Sequence, residues 1–180
     1  QSSPAVFNPE KLLWINAEYI KTSSPSQVAQ ALVPLLEQAG LHEQVKAVSP
    51  EWLAQLVVLV KERAKTVVEM VEWVRPYFGE SVVLEEEAAK KFLTPAIAPV
   101  LGKLIARFEA CPSFSKQVWE ESFKKFVEEE GIKMGQIAQP VRVALTGRTA
   151  SPGLFEVMEV LGRDRTLLRL RQGLERATAS

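Results

Sequence analysis

Residues 131–162 contain five glycines, Gly131, Gly135, Gly147, Gly153 and Gly162, set between short apolar runs. Runs of that length, cut by residues that end helices, cannot make long rods, so several helix ends must crowd into one corner. Gly131 follows Glu128–Glu130 as a C-terminal cap, leaving Ile132 to fold back onto the last turn. Ser151-Pro152-Gly153 reads as an N-cap, a proline at N1 and a residue without a side chain at N2. Such a helix start leaves backbone N–H groups uncovered for a phosphate or a base oxygen. Arg142 stands after Pro140, among Val141, Val143, Ala144 and Leu145. Spacing alone fits a structural corner in which Arg142 reaches solvent; it also fits a binding surface.

The rest of the chain reads as helices. Asn8 caps and Pro9 takes N1 of a helix carrying Leu12, Leu13, Ile15 and Tyr19. Thr22–Pro25 is a turn, and 26–39 is a helix ended by Gly40, with Pro34 implying a kink or break. Ser49-Pro50-Glu51 starts a helix predicted to run to Arg75 and stop before Pro76. Its apolar residues cover much of its circumference, so it must be packed on more than one side. Within it Arg63 shares a face with Leu56, Leu59, Val60, Val67 and Met70. An arginine in an apolar stripe either snorkels out at an edge or points at a bound partner.

Pro76–Val83 breaks the pattern and marks a boundary. After it come a helix entry at 81–87, a helix at 95–109, a turn at Cys111-Pro112-Ser113, an amphipathic helix at 115–130 and a basic helix at 163–176. Strand signals are nearly absent. The prediction is an all-α chain of two consecutive small helical bundles, residues 1–78 and 79–180.

Composition narrows the possible functions. One cysteine, Cys111, excludes an internal disulfide framework, and one histidine, His42, leaves no His/Cys zinc cluster. No run approaches the roughly 18 apolar residues of a membrane span, and a cytoplasmic protein is the simplest fit. The 22 basic and 22 acidic residues cancel, yet residues 131–180 hold eight Lys/Arg against four Asp/Glu. That asymmetry points to one face for an anionic partner.

Catalysis has little to work with. A nucleophilic triad would have to use His42, placed in the loop after Gly40 without a motif around it. Glu120-Glu121 and Glu128–Glu130 sit on polar helix faces, and no phosphate-binding loop or dinucleotide fingerprint is present. Binding fits better. Single-stranded RNA loops are read by splaying bases onto a surface of arginine, backbone groups and apolar stacking. Lys124, Lys133, Arg142, Arg148 and the start of the Ser151 helix could supply one. Composition fits equally well an all-helical protein–protein interaction module with a groove for a partner helix.

Lys133-Met-Gly-Gln-Ile-Ala-Gln-Pro-Val-Arg142, Ala144-Leu-Thr-Gly147 and Ser151-Pro-Gly-Leu-Phe-Glu156 form a long, ordered match. They resemble the C-terminal signature of bacterial-type glutamyl-tRNA synthetases. The similarity runs from Phe7-Asn-Pro-Glu-Lys-Leu12 to Leu174. It implies the all-helical anticodon-binding portion of a class I synthetase, which grips the anticodon loop of glutamate tRNA, with no role for DNA. Ligation of glutamate, driven by ATP and magnesium, would then belong to a separate Rossmann-type domain of a parent expected to be monomeric. No cofactor is implied for this portion. By the same resemblance Arg142, Ser151 and Leu154 are anticodon-base contacts, with Ser151 standing where many members carry threonine. Lys124 is implied as a basic contact near the loop, and Lys133 is a tRNA-binding candidate from its charge and place in the sequence. Arg63 falls where discriminating members carry an arginine facing the third anticodon base, cytosine in glutamate tRNA and guanine in glutamine tRNA.

Overall fold

A computed structural model describes residues 8–179, with the Leu13 side chain also left aside. The expectations touching Phe7 and Leu13 therefore lie outside the described residues. The described residues form helices and no strand. They divide into two compact units, one ending at Arg75 and the other starting at Pro76, three residues ahead of the expected seam.

The first unit contains α1 (Pro9–Thr22), α2 (Pro25–Gln38), α3 (His42–Lys46), α4 (Pro50–Val60) and α5 (Val67–Val74). The cap signals work as written: Asn8, Ser24 and Ser49 each accept a first-turn N–H, with a proline next. Pro34 does not break α2, which continues to Gln38. His42 opens α3 rather than lying in a loop, and its Nδ1 is 3.3 Å from the Glu37 carboxylate. The core is Val28, Leu32 and Leu36 of α2 against Leu56, Val57 and Val60 of α4 and Met70, Val71 and Val74 of α5.

The helix predicted across 50–75 is two helices. α4 stops at Val60, residues 61–66 turn, and Thr66 caps α5 by accepting the Glu69 N–H at 2.9 Å. The Glu69 carboxylate returns to the Lys65 N–H at 2.7 Å. Thr66-Val-Val-Glu69 is a threonine with glutamate three residues on, the spacing of a capping box. The unbroken apolar pattern on either side concealed it.

A 3-10 turn, Arg75–Tyr77, spans the seam, and the second unit holds α6 (Glu86–Phe92), α7 (Ala98–Glu109), α8 (Lys116–Glu130), α9 (Met134–Thr146), α10 (Leu154–Leu161) and α11 (Arg163–Thr178). Phe108 of α7 stacks on Trp119 of α8 with ring centroids 4.2 Å apart, and Phe155 of α10 meets Phe123 edge-on at 5.4 Å. α11 passes so close to α9 that a methyl at Gly173 would lie 2.6 Å from the Ala144 Cβ.

Arg169 of α11 is fully buried. Its Nη1 donates to the carbonyls of Pro76 at 2.6 Å and Leu145 at 2.7 Å, Nη2 to Gly79 at 3.0 Å and Nε to Glu80 at 3.1 Å. Burial pushes this guanidinium down to about 10, still charged at neutral pH. Arg165, one turn earlier, donates to the Tyr77 carbonyl at 2.8 Å. These bonds explain why Pro76–Phe78 belongs to the second unit and not to the first. The Arg169 clamp gives the first prediction. Lysine offers a single ammonium with three donors where the guanidinium offers a planar fork of five. Arg169→Lys should therefore cost on the order of 3 kcal/mol in urea denaturation with an unchanged slope; a loss below about 1 kcal/mol would contradict the clamp.

Gly147 ends α9 in the left-handed region (φ +80°), and its carbonyl accepts the Glu85 N–H at 2.8 Å. A side chain there would overlap the Val83 carbonyl. Gly147→Ala should therefore lower stability by roughly 1–3 kcal/mol, read as a drop in melting temperature; an unchanged melting temperature would refute the close approach.

Candidate nucleic-acid interface

The corner expected at 131–162 is built from the end of α8, all of α9 and the start of α10. Gly131 caps α8 at φ +65°, and the Ile132 N–H returns to the Val127 carbonyl at 3.2 Å, the fold-back expected of that cap. Lys133 precedes α9, and the Gln136 side chain accepts its N–H at 2.7 Å. α9 runs unbroken through Pro140, whose missing N–H removes one helical bond. Apolar residues Ile137, Val141, Ala144 and Leu145 face the core, which leaves Arg142 half-buried at its edge.

Arg142 is held there from the far side of the loop. Its Nη1 bonds the Ser151 hydroxyl, the Pro152 carbonyl at 2.7 Å and, at 3.4 Å, the Ser151 carbonyl. The Ser151 hydroxyl donates in turn to Pro152 at 2.8 Å, and the Thr146 hydroxyl donates to the Arg142 carbonyl at 2.8 Å. Ser151 is 7% exposed and Leu154 7%. Arg142 and Ser151 are thus in direct contact, with Leu154 three residues beyond.

This geometry corrects the helix start. α10 begins at Leu154 with Gly153 in the cap position, so Ser151 and Pro152 lie ahead of the helix. The Ser151 hydroxyl serves Arg142 and caps nothing. Nor is the first turn an uncovered anion site. The Glu156 carboxylate folds back to Gly153, where an added methyl would strike it. Lys116 of α8 holds it at 2.7 Å. That lysine bond, followed by a bond to the backbone N–H of Glu156 itself, draws the Glu156 pKa below its ordinary value. The chain supplies its own anion.

The remaining positions are dispersed. Lys124 is exposed on α8 and pairs with Glu120 at 2.9 Å; Lys133 is exposed ahead of α9. Arg63 belongs to the first unit and sits in the turn after α4, exposed, so the shared apolar face predicted for it does not exist. Its guanidinium lies 5.6 Å from the centroid of the Trp73 ring instead. Sequence reading missed Trp73, because a continuous helix gives no reason for residues ten apart to meet.

The charge excess of 131–180 is not an open basic face. Arg165 and Arg169 turn inward, Arg171 pairs with Glu109, Arg163 donates to the Glu109 carbonyl at 3.2 Å, and Arg176 lies 3.6 Å from Glu86. Among the described residues no three His, Cys, Asp or Glu side chains gather as a metal site would need, and no helix is long and apolar enough to cross a membrane.

Comparison with known proteins shows the family of the chain. The glutamate–tRNA ligase of Geotalea uraniireducens is 46% identical over 172 residues, covering 96% of this chain and 36% of that protein. The ligase of Geobacter sulfurreducens is 45% identical with the same coverage. The chain therefore spans about a third of the length of these curated relatives. Among solved structures, a glutamate tRNA ligase from Elizabethkingia meningosepticum in complex with its amino acid superposes with a TM-score of 0.77 at 27% identity. That match covers 96% of this chain and 33% of that one. The family model described as an anticodon binding domain matches residues 27–174, most of both units, and the chain belongs to that family.

Proposed function

We propose that this chain grips the anticodon loop of glutamate tRNA, as the RNA-reading portion of a longer glutamate–tRNA ligase. The observation that carries the reading is the fixing of Arg142 through Nη1 by Ser151 and Pro152. A guanidinium whose plane is set before RNA arrives loses little freedom on bonding a base edge. Ser151 then acts by holding that plane, and Leu154, buried at the start of α10, follows directly on that loop. Lys124 and Lys133 are exposed cations suited to phosphates. Arg63, lying over Trp73, is a separate candidate reader, for the third anticodon base.

The parent would ligate glutamate to its tRNA with ATP and magnesium, as a cytoplasmic monomer. The residues of this chain do not fit those cofactors: the sequence has no glycine-rich phosphate loop, and among the described residues no three His, Cys, Asp or Glu side chains gather for a divalent cation. That chemistry belongs to the part of the ligase beyond this chain.

Calorimetry with the anticodon stem-loop of glutamate tRNA should show binding that weakens steeply with salt. Salt-tolerant association without preference among RNAs would instead favour the protein-interaction module. Arg142→Ala should cost about 1–3 kcal/mol of binding, lost selectively for the cognate anticodon; an equal loss toward every anticodon would make Arg142 a phosphate contact. Arg63→Ala should narrow the gap between glutamate and glutamine tRNA, and an unchanged ratio would remove Arg63 from the reading surface.

A further inference from the structure

Trp73 is half-buried on α5, and the guanidinium of Arg63 lies over its ring, 5.6 Å from the centroid. The two come from different elements, the turn after α4 and the last turn of α5. The backbone of that turn is fixed on both sides of Arg63. The Arg63 N–H bonds the Val60 carbonyl at 2.9 Å, and the Lys65 N–H bonds the Glu69 carboxylate at 2.7 Å. Glu69 and Trp73 are four residues apart, so one face of α5 supplies both the bond that holds the turn and the ring that meets its arginine.

Among the described residues no carboxylate pairs with Arg63. Of the two acids of α5, Glu69 accepts from the Lys65 N–H and Glu72 lies 3.1 Å from Arg75. An exposed arginine left to itself samples many rotamers. An aromatic face within about 6 Å attracts the cation. Because the guanidinium is planar, that contact also restricts where its N–H groups point. Arg63 is exposed, so those donors stay open to a ligand.

The plane matters because a free guanidinium selects poorly between bases. Cytosine offers N3 and O2 side by side on its pairing edge, and guanine offers O6 and N7 side by side on its other edge. A fork of N–H donors can bond either pair. On its pairing edge, however, guanine sets an N–H donor beside O6, which repels a second guanidinium N–H. A fork confined to the pairing edge therefore accepts cytosine and rejects guanine.

We propose that Trp73 is a positioning residue for base selection: its indole face confines the Arg63 guanidinium to the pairing edge of the third anticodon base. The proposal rests on the reading of Arg63 as the contact to that base. The test uses the whole chain, calorimetry, and two glutamate-tRNA anticodon stem-loops that differ only in carrying cytosine or guanine at the third position. The quantity read is the ratio of their dissociation constants. Trp73→Leu, which keeps an apolar side chain at a half-buried position, should reduce that ratio by about two- to fivefold, the range that a cation–π contact at an exposed site holds. A packing role would move the melting temperature and both affinities together and leave the ratio alone. Trp73→Phe, a weaker cation partner, should fall between, and it carries the test if the leucine variant does not melt cooperatively. Adding Trp73→Leu to Arg63→Ala should leave the ratio where Arg63→Ala alone puts it. An unchanged ratio in the folded variants, an equal loss toward both RNAs, or a further fall of the ratio in the double variant would each overturn the proposal. An Arg63→Ala variant with the ratio of the unsubstituted chain would instead overturn the reading of Arg63, and that result is visible without touching Trp73.

Discussion

The second unit depends on one buried cation. Arg169 has a fan of backbone carbonyls around its guanidinium, from Pro76, Gly79 and Glu80 on one side and Leu145 at the end of α9 on the other. A charge taken out of water needs every donor answered, and a planar fork meeting ordered carbonyls does so without a carboxylate. The consequence is mechanical. The segment before α6 and the C-terminal turn of α9 are tied to the same atoms of α11, with Gly173 and Ala144 closing the gap beside them. Gly147 then presses on Val83, which fixes where the 147–153 loop departs.

That loop decides what Arg142 can do. α9 places the arginine at the edge of the core, and Ser151 and Pro152 hold it from across the loop. Nearby, Glu156 occupies the start of α10 under the hold of Lys116. A carboxylate at a helix N-terminus is favourable there in its own right. It also means that any recognition in this corner would run through side chains and not through bare backbone N–H groups. The basic character of the last 50 residues is largely used internally, in carbonyl bonds and ion pairs. RNA binding by this unit would therefore depend on a few placed groups more than on a diffuse positive face.

Much of this was legible in the sequence, for physical reasons that can be named. Caps and N1 prolines at Asn8-Pro9, Ser24-Pro25 and Ser49-Pro50 act within one turn, so local chemistry was enough. Gly131 needed only the left-handed conformation that glycine permits. The α4–α5 break was harder. Thr66 and Glu69 marked it, but an apolar run carries helical periodicity through a short turn as readily as through a helix. Arg63 was misplaced for that reason alone. The order Ser151-Pro152-Gly153 misled similarly: a hydroxyl before a proline resembles a cap, and only the approach of Arg142 gave that hydroxyl another partner.

By itself, then, the sequence determined an all-helical chain, most of its helix ends, and the 131–162 block that carries the family resemblance. Those properties follow from interactions spanning three or four residues. Tertiary structure alone decided which arginines are spent inside the protein, that Arg63 lies over Trp73, and that the Ser151 hydroxyl meets Arg142. Each of these joins residues that no local pattern brings together, and each depends on how helices pack after they have formed.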